Sequence, residues 1–216
     1  MSLRVMSAAP TEPDPRGAAA RPLTICVFCG ARPGRRAADT EAARHLGLLI
    51  GRRGHRLLYG GGGSGLMGEV AWSAQRHGAP VTGVIPTFLV EKERGIAAPP
   101  QQTVVTSTLG ERKVAFLTQA DAFVALPGGF GTLDEVLEVI SLNQLKVLTK
   151  PIVLVNTDGF WARFLGMAQE LTDWGFTDPD LGSLCSVTGT TEDALRCVER
   201  HANHTAGLAA VDAERL

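Results

Sequence analysis

The chain has 216 residues, 44% of them hydrophobic, which suits one globular domain with a sizeable core. Its 21 Lys and Arg stand against 22 Asp and Glu, a formal net charge of -1. Nothing in that balance suggests the clustered positive charge that nucleic acids and anionic membrane surfaces select, and no stretch approaches the ~20 apolar residues of a membrane span.

The first 21 residues, MSLRVMSAAPTEPDPRGAAAR, are rich in Pro and Ala, mix both charge signs and lack apolar periodicity. A disordered tail is predicted there. It contains no apolar run of the ~7–15 residues that a secretory leader needs, so a cytoplasmic protein is expected. The folded domain is expected over 22–204, with 205–216 fraying.

From there, short apolar runs predict strands at 24–28, 56–59, 81–85, 103–105, 122–126 and 151–155. Helical periodicity over 39–53, 65–77, 111–119, 131–145 and 160–172 falls between most of them, and 191–201 predicts a last helix. Strands alternating with helices imply right-handed crossovers and a parallel sheet. The runs are continuous rather than alternating, as in strands covered on both faces. The expected fold class is α/β: a single-domain, Rossmann-like, doubly wound parallel sheet with helices on both faces.

Cys26 and Cys29 form a C-x-x-C in the first predicted strand. Side chains three apart on a strand point to opposite faces. A redox pair belongs at a helix start, and a zinc site wants a second pair at similar spacing. Two small buried thiols are the better reading, and no metal or cofactor is expected.

In a doubly wound sheet, ligands bind at the carboxyl ends of the strands. The loops to inspect are therefore 29–34, 59–69, 85–95, the turn into 110–113, and 126–135. Two of them are glycine-rich strand-to-helix turns, YGGGGSGLMG with Gly61, Gly62 and Gly63, and LPGGFGT with Gly128, Gly129, Phe130, Gly131 and Thr132. Amides at a helix start face anions. The second turn lacks the G-x-G-x-x-G spacing of dinucleotide sites, and neither turn continues into the Gly-Lys-Ser/Thr of a P-loop. What remains is a site for a single phosphate, with the Thr132 hydroxyl and the amides of 129–132 as its donors. In the following helix, Leu133, Val136, Leu137 and Ile140 make the predicted buried stripe. Glu135 stands one turn past Thr132, about 4.5 Å along the axis. Asp134 reads as helix-start charge complementing the dipole.

PGGFGTLDE (127–135) matches the P-G-G-x-G-T-x-x-E signature of the LOG ("Lonely Guy") family of cytokinin riboside 5'-monophosphate phosphoribohydrolases, many once labelled possible lysine decarboxylases. VFCGA, LLYGGGGSGLMGEVA, GVIP, ERK, DAFVALPGGFGTLDEVLEVI and NQL before KPIVLVNTDGF resemble the family in its own order, over roughly residues 23 to 200. The resemblance implies a Rossmann-like homodimer with its site near the interface. It implies metal-free hydrolysis of the bond between an adenine-type base and ribose 5-phosphate, with a cytokinin ribotide or AMP as the small-molecule substrate.

The same resemblance makes Arg112 and Glu135 the key residues, and has Lys113, the 129–132 loop and Ser141 line the nucleotide site. Glu93 matches a glutamate that relatives carry after the third strand. Three departures, Leu109-Gly110 before Arg112, Leu142 in place of an aromatic, and the CGARPG loop, bear on base preference. A non-catalytic nucleotide or molybdenum-cofactor carrier of the same fold is the competing reading. Lysine decarboxylation is a poorer one, because Lys113 and Lys146 have no context for a pyridoxal phosphate Schiff base.

Overall fold

The computed structural model describes residues 21–91, 93, 95–177 and 181–205. The two expected tails therefore lie, except for Arg21 and Thr205, outside the described residues.

Seven strands run in parallel in one sheet: β1 (Thr24–Phe28), β2 (Arg56–Tyr59), β3 (Val81–Pro86), β4 (Gln102–Thr106), β5 (Ala122–Ala125), β6 (Ile152–Val155) and β7 (Ser186–Thr188). Their spatial order is β4-β3-β2-β1-β5-β6-β7. The order reverses between β1 and β5, which pair in the register Ile25–Ala122 to Phe28–Ala125. Among the described residues, seven α-helices lie between the strands and an eighth follows the last: α1 (Ala37–Arg52), α2 (Gly65–Arg76), α3 (Thr87–Val90), α4 (Leu109–Gln119), α5 (Phe130–Gln144), α6 (Ala162–Asp173), α7 (Leu181–Leu184) and α8 (Thr191–Thr205). Each long predicted element is found within two residues of its expected ends, apart from the longer α8. The short β7, α3 and α7 were not anticipated.

The sheet divides the core in two. Ile25, Val27 and Cys29 of β1 and its extension face α1, α2 and α8, whereas Cys26 and Phe28 face α4, α5 and α6. The two thiols of the C-x-x-C therefore lie on opposite sides of the sheet, as strand alternation requires. All four cysteines are buried and free.

The predicted stripe on α5 needs correcting. The buried positions are Thr132, Val136, Val139 and Ile140, while Leu137 is exposed. Apolar residues occur almost all round this helix, so the apolar pattern did not fix its rotation. What turns it is Thr132, drawn inward at the helix start.

At the opposite end of the sheet from the glycine turns, an ionic cluster ties α8 down. Arg53 bonds Glu192 and, at 2.7 Å, Glu199. Buried His55 contacts Glu199 at 3.0 Å through Nε2, while its Nδ1 accepts the Leu23 N–H at 3.2 Å. No helix among the described residues is long and apolar enough to cross a membrane.

Candidate active site

A cavity of about 530 Å³ opens over the carboxyl ends of β1 and β5, at the point where the strand order reverses. Crevices at such switch points are the usual ligand sites of doubly wound sheets, and the volume lies in the range of small-molecule pockets. All five loops singled out in the sequence contribute to its wall.

The two glycine turns do different things. At the start of α2, the amides are already used by the protein. The Leu66 and Met67 N–H groups donate to the Gly30 carbonyl at 3.0 and 3.4 Å, and the Gly63 N–H donates to Glu93 Oε2 at 3.2 Å. Gly61 has φ +78°, and a Cβ there would press to 3.1 Å from Ile85. This turn is built for close packing, and only Gly60 and Gly62 of its glycines reach the cavity wall. Gly61 and Gly63 lie outside that wall, Gly61 packed against Ile85 and Gly63 bonded to Glu93.

At the start of α5 the amides stay open. Gly129 is the N-cap in an extended conformation with no side-chain cap, and the first backbone bond onto its carbonyl comes from Leu133 at 3.1 Å. Thr132 is only 4% exposed and faces the cavity. Among the described residues its hydroxyl has no hydrogen-bond partner. Gly128 is required beside it, because a Cβ there would collide with the Thr132 side chain. Gly129 and Gly131 complete this wall, while Phe130 projects outward, 92% exposed.

Glu135 follows one turn on and lines the same cavity. Burial pushes its carboxyl up from the usual range to about 7. The Arg112 guanidinium pulls the other way, Asp134 and Glu138 add to the rise, and Lys113 offsets part of it. Burial prevails because the charged form loses more hydration than one partly spaced cation returns.

Arg112 reaches this point from α4. Its Nε donates to the Val84 carbonyl at 3.1 Å and its Nη2 to the Gly60 carbonyl at 3.3 Å, while Nη1 stands 3.7 Å from Glu135 Oε1. The guanidinium also lies over the Phe116 ring, 5.1 Å from its centroid. A Cβ at Gly60 would displace the guanidinium from this position. Arg112 is thus fixed by two strand-end carbonyls and aimed at Glu135.

Lys113 lies outside the cavity wall, held by Glu138 at 3.2 Å and Asp134 at 3.4 Å. Ser141 is exposed on the outer side of α5, beside Leu137 and Gln144, away from this cavity. Glu93 does reach the wall. Residues that the sequence did not single out also line it. Asp39 is buried and held by Arg36 through two bonds, of 2.7 and 3.1 Å, and Phe160 stands beside that pair. Cys29 is there too, with burial, reinforced by Glu135, pushing its thiol far up and keeping it protonated. Among the described residues no group of His, Cys, Asp or Glu is arranged to hold a metal ion.

Residues 67–198 match the family described as "Possible lysine decarboxylase". A "Probable cytokinin riboside 5'-monophosphate phosphoribohydrolase" of Oryza sativa subsp. japonica is 39% identical over 90% of this chain and 86% of its own. A "Cytokinin riboside 5'-monophosphate phosphoribohydrolase" of Arabidopsis thaliana is 37% identical over 82% of this chain and 81% of its own. Among solved structures, the molybdenum cofactor carrier protein of Chlamydomonas reinhardtii superposes with a TM-score of 0.65 at 23% identity, over 85% of this chain and 99% of that one. That likeness shows the fold. The match over most of the chain, together with the identity to the plant proteins, places this chain in the LOG family, the family described as "Possible lysine decarboxylase".

Proposed function

We propose that this protein hydrolyses the N-glycosidic bond of a nucleoside 5'-monophosphate, a cytokinin riboside 5'-monophosphate or AMP, releasing the free base and ribose 5-phosphate. The observation that carries the reading is the Arg112–Glu135 pair, 3.7 Å apart, one helical turn from an open helix start in a single cavity. The names of the plant relatives support it.

In this reading the substrate phosphate sits on the amides of 129–132 and the Thr132 hydroxyl, where the helix dipole adds to the hydrogen bonds. The ribose then lies beside Glu135. Cleavage of a glycosidic bond builds positive charge on the ribose in an oxocarbenium-like state. The ionised carboxylate of Glu135 opposes that charge, orients a ribose hydroxyl and accepts a proton from the attacking water. A carboxyl titrating near 7 is suited to this proton exchange at neutral pH. Arg112 acts as the positioning residue that holds Glu135 and favours its ionised form. Water attacks the anomeric carbon, the C–N bond breaks, and the bonding pair leaves with the base, which takes up a proton.

The carrier reading would use the same phosphate site without Arg112 and Glu135. The buried, perturbed Glu135 favours hydrolysis over carriage. Lysine decarboxylation finds no support, since Lys113 is committed to two carboxylates. We further propose a homodimer acting in the cytoplasm; four free buried cysteines suit a reducing compartment.

The test is to incubate the purified protein with AMP and with isopentenyladenosine monophosphate and to read released base by chromatography. Release from at least one is expected, with Glu135→Gln reducing the rate by at least about 100-fold, the scale of a lost acid–base group. No base from either substrate, or a Glu135→Gln variant as active as the wild type, defeats the reading.

A further inference from the structure

We infer that Arg32 is the cation that neutralises the substrate phosphate at the start of α5. The inference rests on the nucleotide reading above and assigns a phosphate partner that neither Arg112 nor Lys113 supplies.

A phosphate monoester carries close to two negative charges at neutral pH, and the α5 dipole supplies only about half a positive one. A cation within reach is therefore needed. Among the described residues, four lie close to the cavity, and three of them have partners elsewhere. Arg112 is anchored on the Val84 and Gly60 carbonyls and pairs its charge with Glu135. Lys113 is held between Asp134 and Glu138, outside the wall. Arg36 bonds both oxygens of Asp39, reaches the Thr157 carbonyl at 3.4 Å and lies over Phe160. Arg32 lines the cavity, is exposed, and among the described residues has no ion pair.

Its backbone is placed by two neighbouring elements. The Gly30 N–H donates to the Pro127 carbonyl at 3.1 Å, which ties the β1–α1 loop directly to the phosphate turn. The Gly30 carbonyl accepts from α2, and the Ser64 hydroxyl donates to the Ala31 carbonyl at 3.2 Å. The loop is thus pinned as far as Ala31, and Arg32 is the first side chain beyond the pins. On the same cavity wall, Thr132 presents a hydroxyl with no hydrogen-bond partner among the described residues, from a residue only 4% exposed. A hydroxyl held rigidly at a cavity wall and left without a protein partner is available to a ligand oxygen. Arg32, Thr132 and the α5 amides then surround one anion from three sides. A planar guanidinium free to swing in offers two parallel bonds to it.

This divides the labour between two arginines. Arg32 binds the end of the substrate that does not react, so its loss weakens binding in ground and transition states alike. It raises KM and leaves kcat. The experiment compares wild type, Arg32→Ala, Arg32→Lys and, as a surface control, Arg35→Ala. Binding of ribose 5-phosphate is read by calorimetry, and turnover of the monophosphate by KM and kcat. Arg32→Ala is expected to weaken ribose 5-phosphate by about 10-fold and raise KM by about as much, with kcat within about two-fold and the melting temperature unchanged. Arg32→Lys restores part of the affinity, and Arg35→Ala behaves as wild type. An Arg32→Ala variant that binds ribose 5-phosphate as tightly as wild type, or loses kcat instead of affinity, overturns the assignment. So does a wild-type protein that does not bind ribose 5-phosphate. The binding arm needs no turnover, so it judges Arg32 even if the hydrolase reading fails on its own test.

Discussion

At Glu135 two opposed effects meet, and their balance sets when the protein works. Burial raises the carboxyl to about 7 against the pull of Arg112. If the ionised form is the working one, kcat/KM rises with pH through about 7 and levels above it. Removing the guanidinium in Arg112→Gln takes away a charge that lowers this pKa, so the Glu135 titration moves upward; carbon NMR of the side-chain carboxyl measures it. An unmoved titration would mean that the pair at 3.7 Å does not couple. The same shift bears on stability. A carboxyl whose folded pKa is raised resists ionisation in the native state. Its stabilising contribution is whole below the unfolded value of 4.5 and is lost as pH climbs to about 7. The loss is on the order of 3 kcal/mol at most. Glu135→Gln is therefore expected to raise the melting temperature at about pH 8 and far less near pH 5, while cutting turnover by at least about 100-fold. Much of this site was legible from residue types alone, since Thr132 and Glu135 stand one helical turn apart in any helix that begins at the glycines. Asp39, Phe160 and Arg32 were not, because each reaches the cavity through loop geometry that no periodicity encodes.

Among the elements, α1 and α2 set the shape of the cavity's β2 side. They pack so closely at Gly47 that a Cβ there would come within 2.8 Å of the Ala74 nitrogen and the Ser73 Cβ, besides the Val70 carbonyl. Gly51 meets His77 in the same way. In an exposed helix Gly→Ala is stabilising by up to about 1 kcal/mol. Here the sign reverses, because backbone cannot yield as a flexible side chain can. Gly47→Ala is expected to cost about 1–3 kcal/mol in urea unfolding. It should also disturb the Gly30 contact to Leu66 and Met67, through which α2 holds the first loop. A neutral or stabilising result would show that the two helices separate easily. The periodicity of both helices was plain in the sequence, yet nothing there marked which glycines face a neighbour. The same gap explains α5, where apolar residues on nearly every side left its rotation open until Thr132 was seen facing inward. It also explains β7, whose three residues SVT are too few for a pattern.

On the scale of the whole molecule, the sheet order puts one cavity at the reversal point and leaves one face unaccounted for. Leu137 and Met167 are exposed and border an apolar hollow of α5 and α6 together with Ile140, Phe164 and Leu171. Monomers rarely present such a face to water. With a net charge of only -1, electrostatic repulsion opposes self-association weakly. We propose that a second copy of the chain covers it. Ser141 supports that view, since it sits on this face rather than in its own chain's cavity. A residue that the family resemblance attaches to the nucleotide site would then be brought near a site by the partner. Sedimentation should give a dimer at micromolar concentration. Leu137→Glu or Met167→Glu, each placing a charge where apolar contact is expected, should shift it to monomer with the fold retained by circular dichroism. Because each chain holds Arg112, Glu135 and the α5 turn complete, the monomer should keep ribose 5-phosphate binding. Its turnover should fall only to the extent that the partner helps to close the cavity. A wild type that sediments as monomer would leave the exposed face without this explanation. A monomeric variant with full activity would show that the site needs nothing from the second copy.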